Sequence, residues 1–210
     1  MIRVMIADDH AIVRKGLKQI VVETTDVEIV AEAEDYAEIM RKLRTVPVDV
    51  LVLDIGLPTK NGIEILKIVK KEMPRIHVLV LTMYPESQYA LRSMRAGAAG
   101  YLTKDSVPDR LIEAIRRIAD GKKYITPELG EALAQFVDQD SDQLSHERLS
   151  DREFETLCLI ASGKALSEIA EELKLSPKTV SVYRARMLEK MQLKNNAELT
   201  HYALKHKLVE

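Results

Sequence analysis

Five short runs, nearly continuously apolar and rich in β-branched residues, constrain this chain more than any other feature. They are RVMIA (3–7), VEIVAEA (27–33), VDVLVLD (48–54), HVLVLTM (77–83) and AAGYLTK (98–104). A strand that is apolar on both faces has to be covered on both, which is the condition of a parallel sheet between helices. The stretches between the runs have a helical period. In 10–24, Val13, Leu17, Ile20 and Val21 fall at i, i+4, i+7 and i+8, and Ile63, Ile65, Leu66 and Val69 repeat the stripe after the Asn61-Gly62 turn. Strand and helix alternating five times predicts an α/β unit with a doubly wound, five-stranded parallel sheet. Ligands of such sheets bind beyond the carboxyl ends of the strands.

The polar residues at those ends form a set. Asp8 and Asp9 follow the first run, Asp54 ends the third, Thr82 lies in the fourth, and Lys104 ends the fifth. One Asp after a strand is commonly a helix cap; three converging carboxylates are harder to explain structurally. At ~4–5 Å and an effective dielectric near 20, each pair repels by about 3–4 kcal/mol. Lys104 offsets part of this, and a divalent, oxygen-seeking ion such as Mg²⁺ would offset the rest. A carboxylate, a bound Mg²⁺, a hydroxyl and an amine together suit phosphoryl transfer to the carboxylate. His10, beside the acidic pair, reads as a helix-start residue rather than a ligand.

The set Asp8-Asp9, Asp54 in DIGLPTKNG, Thr82, and Lys104 in GYLTKD resembles the receiver domain of two-component response regulators over about residues 1–121. The resemblance implies a flavodoxin-like fold in which Asp54 accepts a phosphoryl group from a sensor histidine kinase. It implies Mg²⁺ held by Asp9, Asp54 and the main-chain carbonyl of Gly56, with Asp8 assisting through water. Thr82 would move to bond the phosphoryl oxygen, Lys104 would pair with it, and Tyr101 would swing inward behind Thr82. Tyr101 also reads as an ordinary half-buried sheet aromatic. Gly56 stands where larger residues are frequent, and Asp105 where many receivers carry a proline after an often cis bond. The only enzymatic activity implied is Mg-dependent autophosphorylation and dephosphorylation at Asp54.

The chain changes character after residue 121. Residues 122–148 read as a linker containing a short helix, with Thr126 as N-cap and Pro127 at the first position, running to about Val137. The acidic DQDSDQ that follows reads as flexible. In 149–210 no strand-like run appears, and four helices are punctuated. Ser150 with Glu153 makes a capping box, Gly163 ends that helix, Ser167 opens the next, Ser176-Pro177 the third, and Asn195 with Glu198 the last. Two short helices joined by the tight KLSP turn, the second basic, form a helix-turn-helix pattern, so 149–210 is expected to be a small all-α, four-helix domain.

Charge is informative once divided in the same way. The net value of −2 argues against a nucleic-acid partner, but residues 174–194 carry six Lys and Arg against Glu189 alone, a local +5. That is a candidate phosphate-binding face. On a helical wheel, Val180, Met187 and Met191 share the inward side, flanked by Tyr183, while Lys178, Ser181, Val182 and Ala185 lie opposite at i, i+3, i+4 and i+7. Small side chains there would let the backbone approach base edges, and Val182 and Ala185 could touch a thymine methyl. Arg184, Arg186 and Lys190 sit toward the flanks, where phosphates would lie.

The string from Leu149 to Met191 resembles the effector domain of NarL/FixJ (LuxR-type) regulators, a match that extends to about residue 208. That resemblance implies base readers at Ser181, Val182 and Ala185 and backbone contacts at Lys178, Thr179, Tyr183 and Arg186. It departs at Tyr183, where histidine is frequent, and at Asn196, where a basic residue is frequent. The chain as a whole then reads as a transcription regulator. Its expected partners are a histidine kinase, double-stranded DNA and a second copy on phosphorylation, with RNA polymerase a further candidate.

A haloacid-dehalogenase-type phosphatase is an enzyme alternative, but it needs an acid two residues after its nucleophile, where Gly56 stands. An interaction module without DNA binding is the third class. With no apolar run of signal-peptide or membrane length, and one cysteine (Cys158, read as packing), the expected location is cytoplasmic, with no membrane partner.

Overall fold

The computed structural model describes residues 1–58, 60–127, 129–131, 145–206, 208 and 209, and the chain divides into two compact units, Met1–Ala132 and Leu133–Glu210. The division falls inside the join read at 122–148. Among the described residues no helix is long and apolar enough to cross a membrane.

In the first unit, strands β1 (Ile2–Ala7), β2 (Val27–Ala33), β3 (Val50–Leu53), β4 (His77–Thr82) and β5 (Gly100–Thr103) alternate with helices α1 (Ala11–Val22), α2 (Tyr36–Thr45), α3 (Gly62–Glu72), α4 (Glu86–Arg95) and α5 (Val107–Ala119). The strands are all parallel, in the order β2-β1-β3-β4-β5. Side chains alternate across the sheet. Val4, Ile6, Val50, Val52, Leu79 and Leu81 join Leu17 and Val21 of α1 and Leu111, Ile115 and Ile118 of α5 in one core. Met5, Leu51, Leu53, Val78 and Val80, at the intervening positions, are buried as well. This two-sided burial is why the strands are continuously apolar. Just before β3, the Asp49 carboxylate accepts from the Arg3 amide and guanidinium at 2.6–2.9 Å.

Beyond α5 the chain returns to the sheet. Tyr124 forms a parallel bridge with Gly100, and its amide donates to the Ala99 carbonyl at 2.8 Å. Thr126 accepts the Leu129 amide as a helix cap would, at 3.2 Å. The rest of the helix read to Val137, and the DQDSDQ segment, lie outside the described residues.

In the second unit, α6 (Asp151–Ala161), α7 (Leu166–Glu172), α8 (Pro177–Met191) and α9 (Asn196–Lys205) follow a short 3₁₀ turn, Ser145–Arg148. The Ser150–Glu153 capping box is present in both directions, Ser176 caps α8, and Asn195 caps α9. Gly163 takes a positive φ of 88° just past α6. Ser167 does not open α7: the helix starts at Leu166, and the Glu168 carboxylate takes the Ala165 amide at 2.7 Å in place of a capping hydroxyl. Glu153 also accepts from Lys190 at 2.6 Å, tying the start of α6 to the end of α8.

Two predictions follow from this packing. A Cβ at Gly62 would stand 2.2 Å from the Asp54 carbonyl oxygen and 2.7 Å from Ile55 Cα. Gly62→Ala must therefore displace the backbone after β3, and a denaturant titration should read a loss of about 1–3 kcal/mol. For Glu153, burial pushes its pKa up, but Lys190 and the Ser150 amide and hydroxyl outweigh it and hold the pKa below the ordinary 4.5. Its contribution is whole above that value and is lost as pH falls through the lower folded value. Glu153→Gln should cost about 1 kcal/mol at pH 7 and flatten the acid limb of thermal stability below pH 5.

Candidate functional site

The strand register brings the acidic residues together. Ala7 of β1 pairs with Leu53 of β3, so Asp8 and Asp54 leave adjacent strands side by side, and the Asp54 amide donates to the Ala7 carbonyl. Lys104 opens the 3₁₀ turn after β5, and its ammonium lies 2.7 Å from both Asp8 Oδ2 and Asp54 Oδ2. Asp8 is 2% and Asp54 5% exposed. The Asp8 carboxylate also accepts the His10 amide at 2.8 Å, and His10 Nδ1 lies 2.9 Å from Asp9 Oδ1. Ligating atoms of Asp8, Asp9, His10 and Asp54 all lie within 4.8 Å of one another. His10 is the N-cap residue of α1, as read, and it also reaches the acidic set.

Three carboxylates against one ammonium leave about two negative charges. Burial drives the Asp54 carboxyl above its usual range, against the pull of Lys104. Burial alone would lower Lys104, but Asp54 and Asp8 outweigh it and hold the ammonium above its ordinary value. The donor set is hard oxygen with one exposed imidazole, so it fits an oxygen-seeking divalent cation such as Mg²⁺. Gly56 is exposed, its amide donates to Asp54 Oδ1 at 3.2 Å, and no side chain there stands over the carboxylate.

Thr82 ends β4 and is buried, in register with Thr103. Tyr101 is fully buried, and its hydroxyl donates to the Tyr84 carbonyl at 2.8 Å. That bond anchors it to the loop after β4. The Lys104–Asp105 bond is trans.

Two residues near the site carry roles that the local pattern does not announce. Asn61 is buried and caps α3 by accepting the Ile63 amide. Arg14 of α1 is 8% exposed and donates to the Asp8 main-chain carbonyl at 2.7 Å. The available signal was position: Arg14 sits three residues before Leu17, on the buried stripe of α1.

In the second unit α8 presents the expected faces. Val180, Met187, Leu188 and Met191 are buried, while Lys178, Ser181, Val182, Ala185 and Arg186 are exposed, Val182 to 40%. Thr179, Tyr183 and Arg184 are half-buried. Two of the flanking cations are engaged within the unit: Arg184 Nε donates to Asn196 Oδ1 at 2.6 Å, and Lys190 is held by Glu153. Lys174 takes a left-handed φ of 52° in the turn between α7 and α8. Cys158 is buried on α6, consistent with packing.

Comparison with known proteins gives a family for each unit. Residues 4–116 match the response regulator receiver domain, and residues 147–203 match the bacterial regulatory proteins of the luxR family. The response regulator UvrY of Escherichia coli K12 is 34% identical over 209 residues, covering 99% of this chain and 96% of UvrY. RcsB of Salmonella enterica serovar Typhimurium, solved on promoter rprA with the phosphomimetic BeF₃⁻, is 28% identical with a TM-score of 0.65, over 96% of this chain and 98% of RcsB. A structure of two RcsB dimers on two parallel DNAs matches at 28% identity and TM-score 0.60, over 100% and 99% of the two chains. The chain therefore belongs to the two-component response regulators of the NarL/FixJ family, a receiver domain followed by a LuxR-type helix-turn-helix domain.

Proposed function

We propose that a sensor histidine kinase passes a phosphoryl group to Asp54, and that the modified chain pairs with a second copy to bind two DNA half-sites through α8. The observation that carries the acceptor role is the Lys104 ammonium, 2.7 Å from a buried Asp54 in a set with too few cations. An Asp54 oxygen attacks the phosphorus of a phosphohistidine; the P–O bond forms as the P–N bond breaks, and the imidazole leaves with the electron pair. Asp9, Asp54 and the Gly56 carbonyl would hold Mg²⁺, with Asp8 assisting through water. When bound, the ion neutralises charge on the acceptor and the transferring group.

The phosphoryl group carries about 1.5–2 negative charges and replaces the single charge of the Asp54 carboxylate, a net gain of about one. Lys104 would exchange the Asp54 oxygen for a phosphoryl oxygen, and the Thr82 hydroxyl would donate to another, drawing the loop after β4 inward. Tyr101 backs that loop through its bond to the Tyr84 carbonyl. The shift operates only through the difference in affinity between the two states.

On α8, Ser181, Val182 and Ala185 would read base edges, and Lys178, Thr179, Tyr183 and Arg186 would hold the backbone. Arg184 and Lys190 would have to loosen from Asn196 and Glu153 to add phosphate contacts. The RcsB complexes on DNA support this reading, as does the exposed small-residue face. The kinase, RNA polymerase and a cytoplasmic site of action belong to the same reading.

Asp54→Asn should abolish hydroxylamine-labile phosphoryl incorporation from a small acyl phosphate; labelling equal to wild type would remove Asp54 as acceptor. For DNA, about four phosphate contacts per half-site give a slope of log K against log salt near −4. Arg186→Ala should reduce that slope by about one across all sequences. An unchanged slope would take Arg186 off the phosphate backbone.

A further inference from the structure

The guanidinium of Arg14 stands under the acidic site, at the end of a bridge between the first two strands. Its Nε lies 3.4 Å from Glu32 Oε2 on β2, its Nη2 bonds the Glu34 carboxylate, and its Nη1 donates to the Asp8 carbonyl at 2.7 Å. Glu32 is shared with Lys18 at 2.7 Å. The buried charge of Arg14 is therefore balanced by two carboxylates that are not in the metal-binding set. It needs no bond to Asp8 for charge balance.

That bond has a geometric consequence. The Asp8 carbonyl and the Asp9 amide belong to one rigid peptide plane. The Asp8 amide already donates to Ala33 of β2 at 3.1 Å, and the Asp8 side chain is fixed by Lys104 and by the His10 amide. With its carbonyl held by Arg14, the plane from which the Asp9 side chain departs has a single orientation. We propose that Arg14 is a positioning residue for the divalent cation: it orients the Asp8–Asp9 peptide so that the Asp9 carboxylate faces Asp54, acting by hydrogen bond rather than by charge.

This rests on the reading of Asp9 and Asp54 as ligands of Mg²⁺. Partners that orient metal ligands from behind are typically worth 10–100-fold in metal affinity. The planar fork of arginine reaches three acceptors here, which the single-point ammonium of lysine does not match.

The test is an NMR titration of the full, unphosphorylated chain with MgCl₂, run alongside thermal unfolding and phosphoryl uptake at saturating Mg²⁺. Arg14→Met should raise the Mg²⁺ Kd about tenfold or more. Uptake at saturating Mg²⁺ should stay within about threefold, because the acceptor and Lys104 are untouched, and Arg14→Lys should recover part of the affinity. Glu34→Gln removes a charge partner of Arg14 but leaves the Asp8 bond. It should lower thermal stability and leave the Kd within about twofold of wild type.

A Kd for Arg14→Met within about twofold of wild type overturns the proposal, as does an equal rise in Arg14→Met and Glu34→Gln. Should Arg14→Met not fold, Arg14→Lys keeps the buried charge and carries the test: a rise in Kd of about threefold or more supports positioning, and none overturns it. A wild-type chain that does not bind Mg²⁺ overturns the ligand reading and this proposal together; a wild-type chain and an Arg14→Met chain that bind it equally overturn only the latter.

Discussion

The Lys104 ammonium joins the carboxyl ends of three strands, touching Asp8 after β1 and Asp54 after β3 from its own place after β5. β1 and β3 are adjacent, and β5 lies two strands from β3, so the side chain crosses in front of β4 and closes the top of the sheet. Desolvating these groups opposes their charges, and mutual attraction offsets that only while the geometry holds. The arrangement is accordingly sensitive to anything that changes charge at Asp54. In the proposed reading, a phosphoryl group at Asp54 would change the partner of the same lysine that holds the resting site together.

Much of this was legible in the sequence because it depends on local or periodic features. Continuous apolar runs carried the parallel sheet, and the residue after each run carried the acidic site, since a parallel sheet sends all its carboxyl ends to one edge. Capping at Ser150, Ser176 and Asn195 was readable because caps are spelled out within four residues. Other features depend on partners remote in sequence. Arg14 reaches residues on β2, Lys190 reaches back to α6, and Arg184 reaches α9. A helical wheel gives the direction of Lys190 but not its partner within the unit, Glu153. At α7 a carboxylate three residues in replaced the hydroxyl that the pattern favoured.

Those contacts also alter the electrostatics of α8. The +5 of residues 174–194 is a formal count, and Glu153 compensates one of its charges, while Arg184 is tethered by a neutral amide. The field presented outward is weaker than the count, and Lys178 and Arg186 are exposed beside Ser181, Val182 and Ala185. A surface of that kind gives modest attraction to any polyanion, so in the proposed reading discrimination would rest on fit at the base edges and on engaging two half-sites together.

The Tyr124 bridge to Gly100 bears on how copies of the chain can meet. An open strand at the side of a sheet is a template for another strand. Here the chain leaving α5 lies along β5, and Gly100 lets it come close: a Cβ there would stand 2.9 Å from that of Tyr124. At the opposite side, the register of β2 against β1 slips between Val4 and Met5, and β2 carries Glu28 and Glu32. Neither border is a clean ladder for continuation into a neighbouring molecule. Continuation of the sheet into a second copy is thereby disfavoured at both borders.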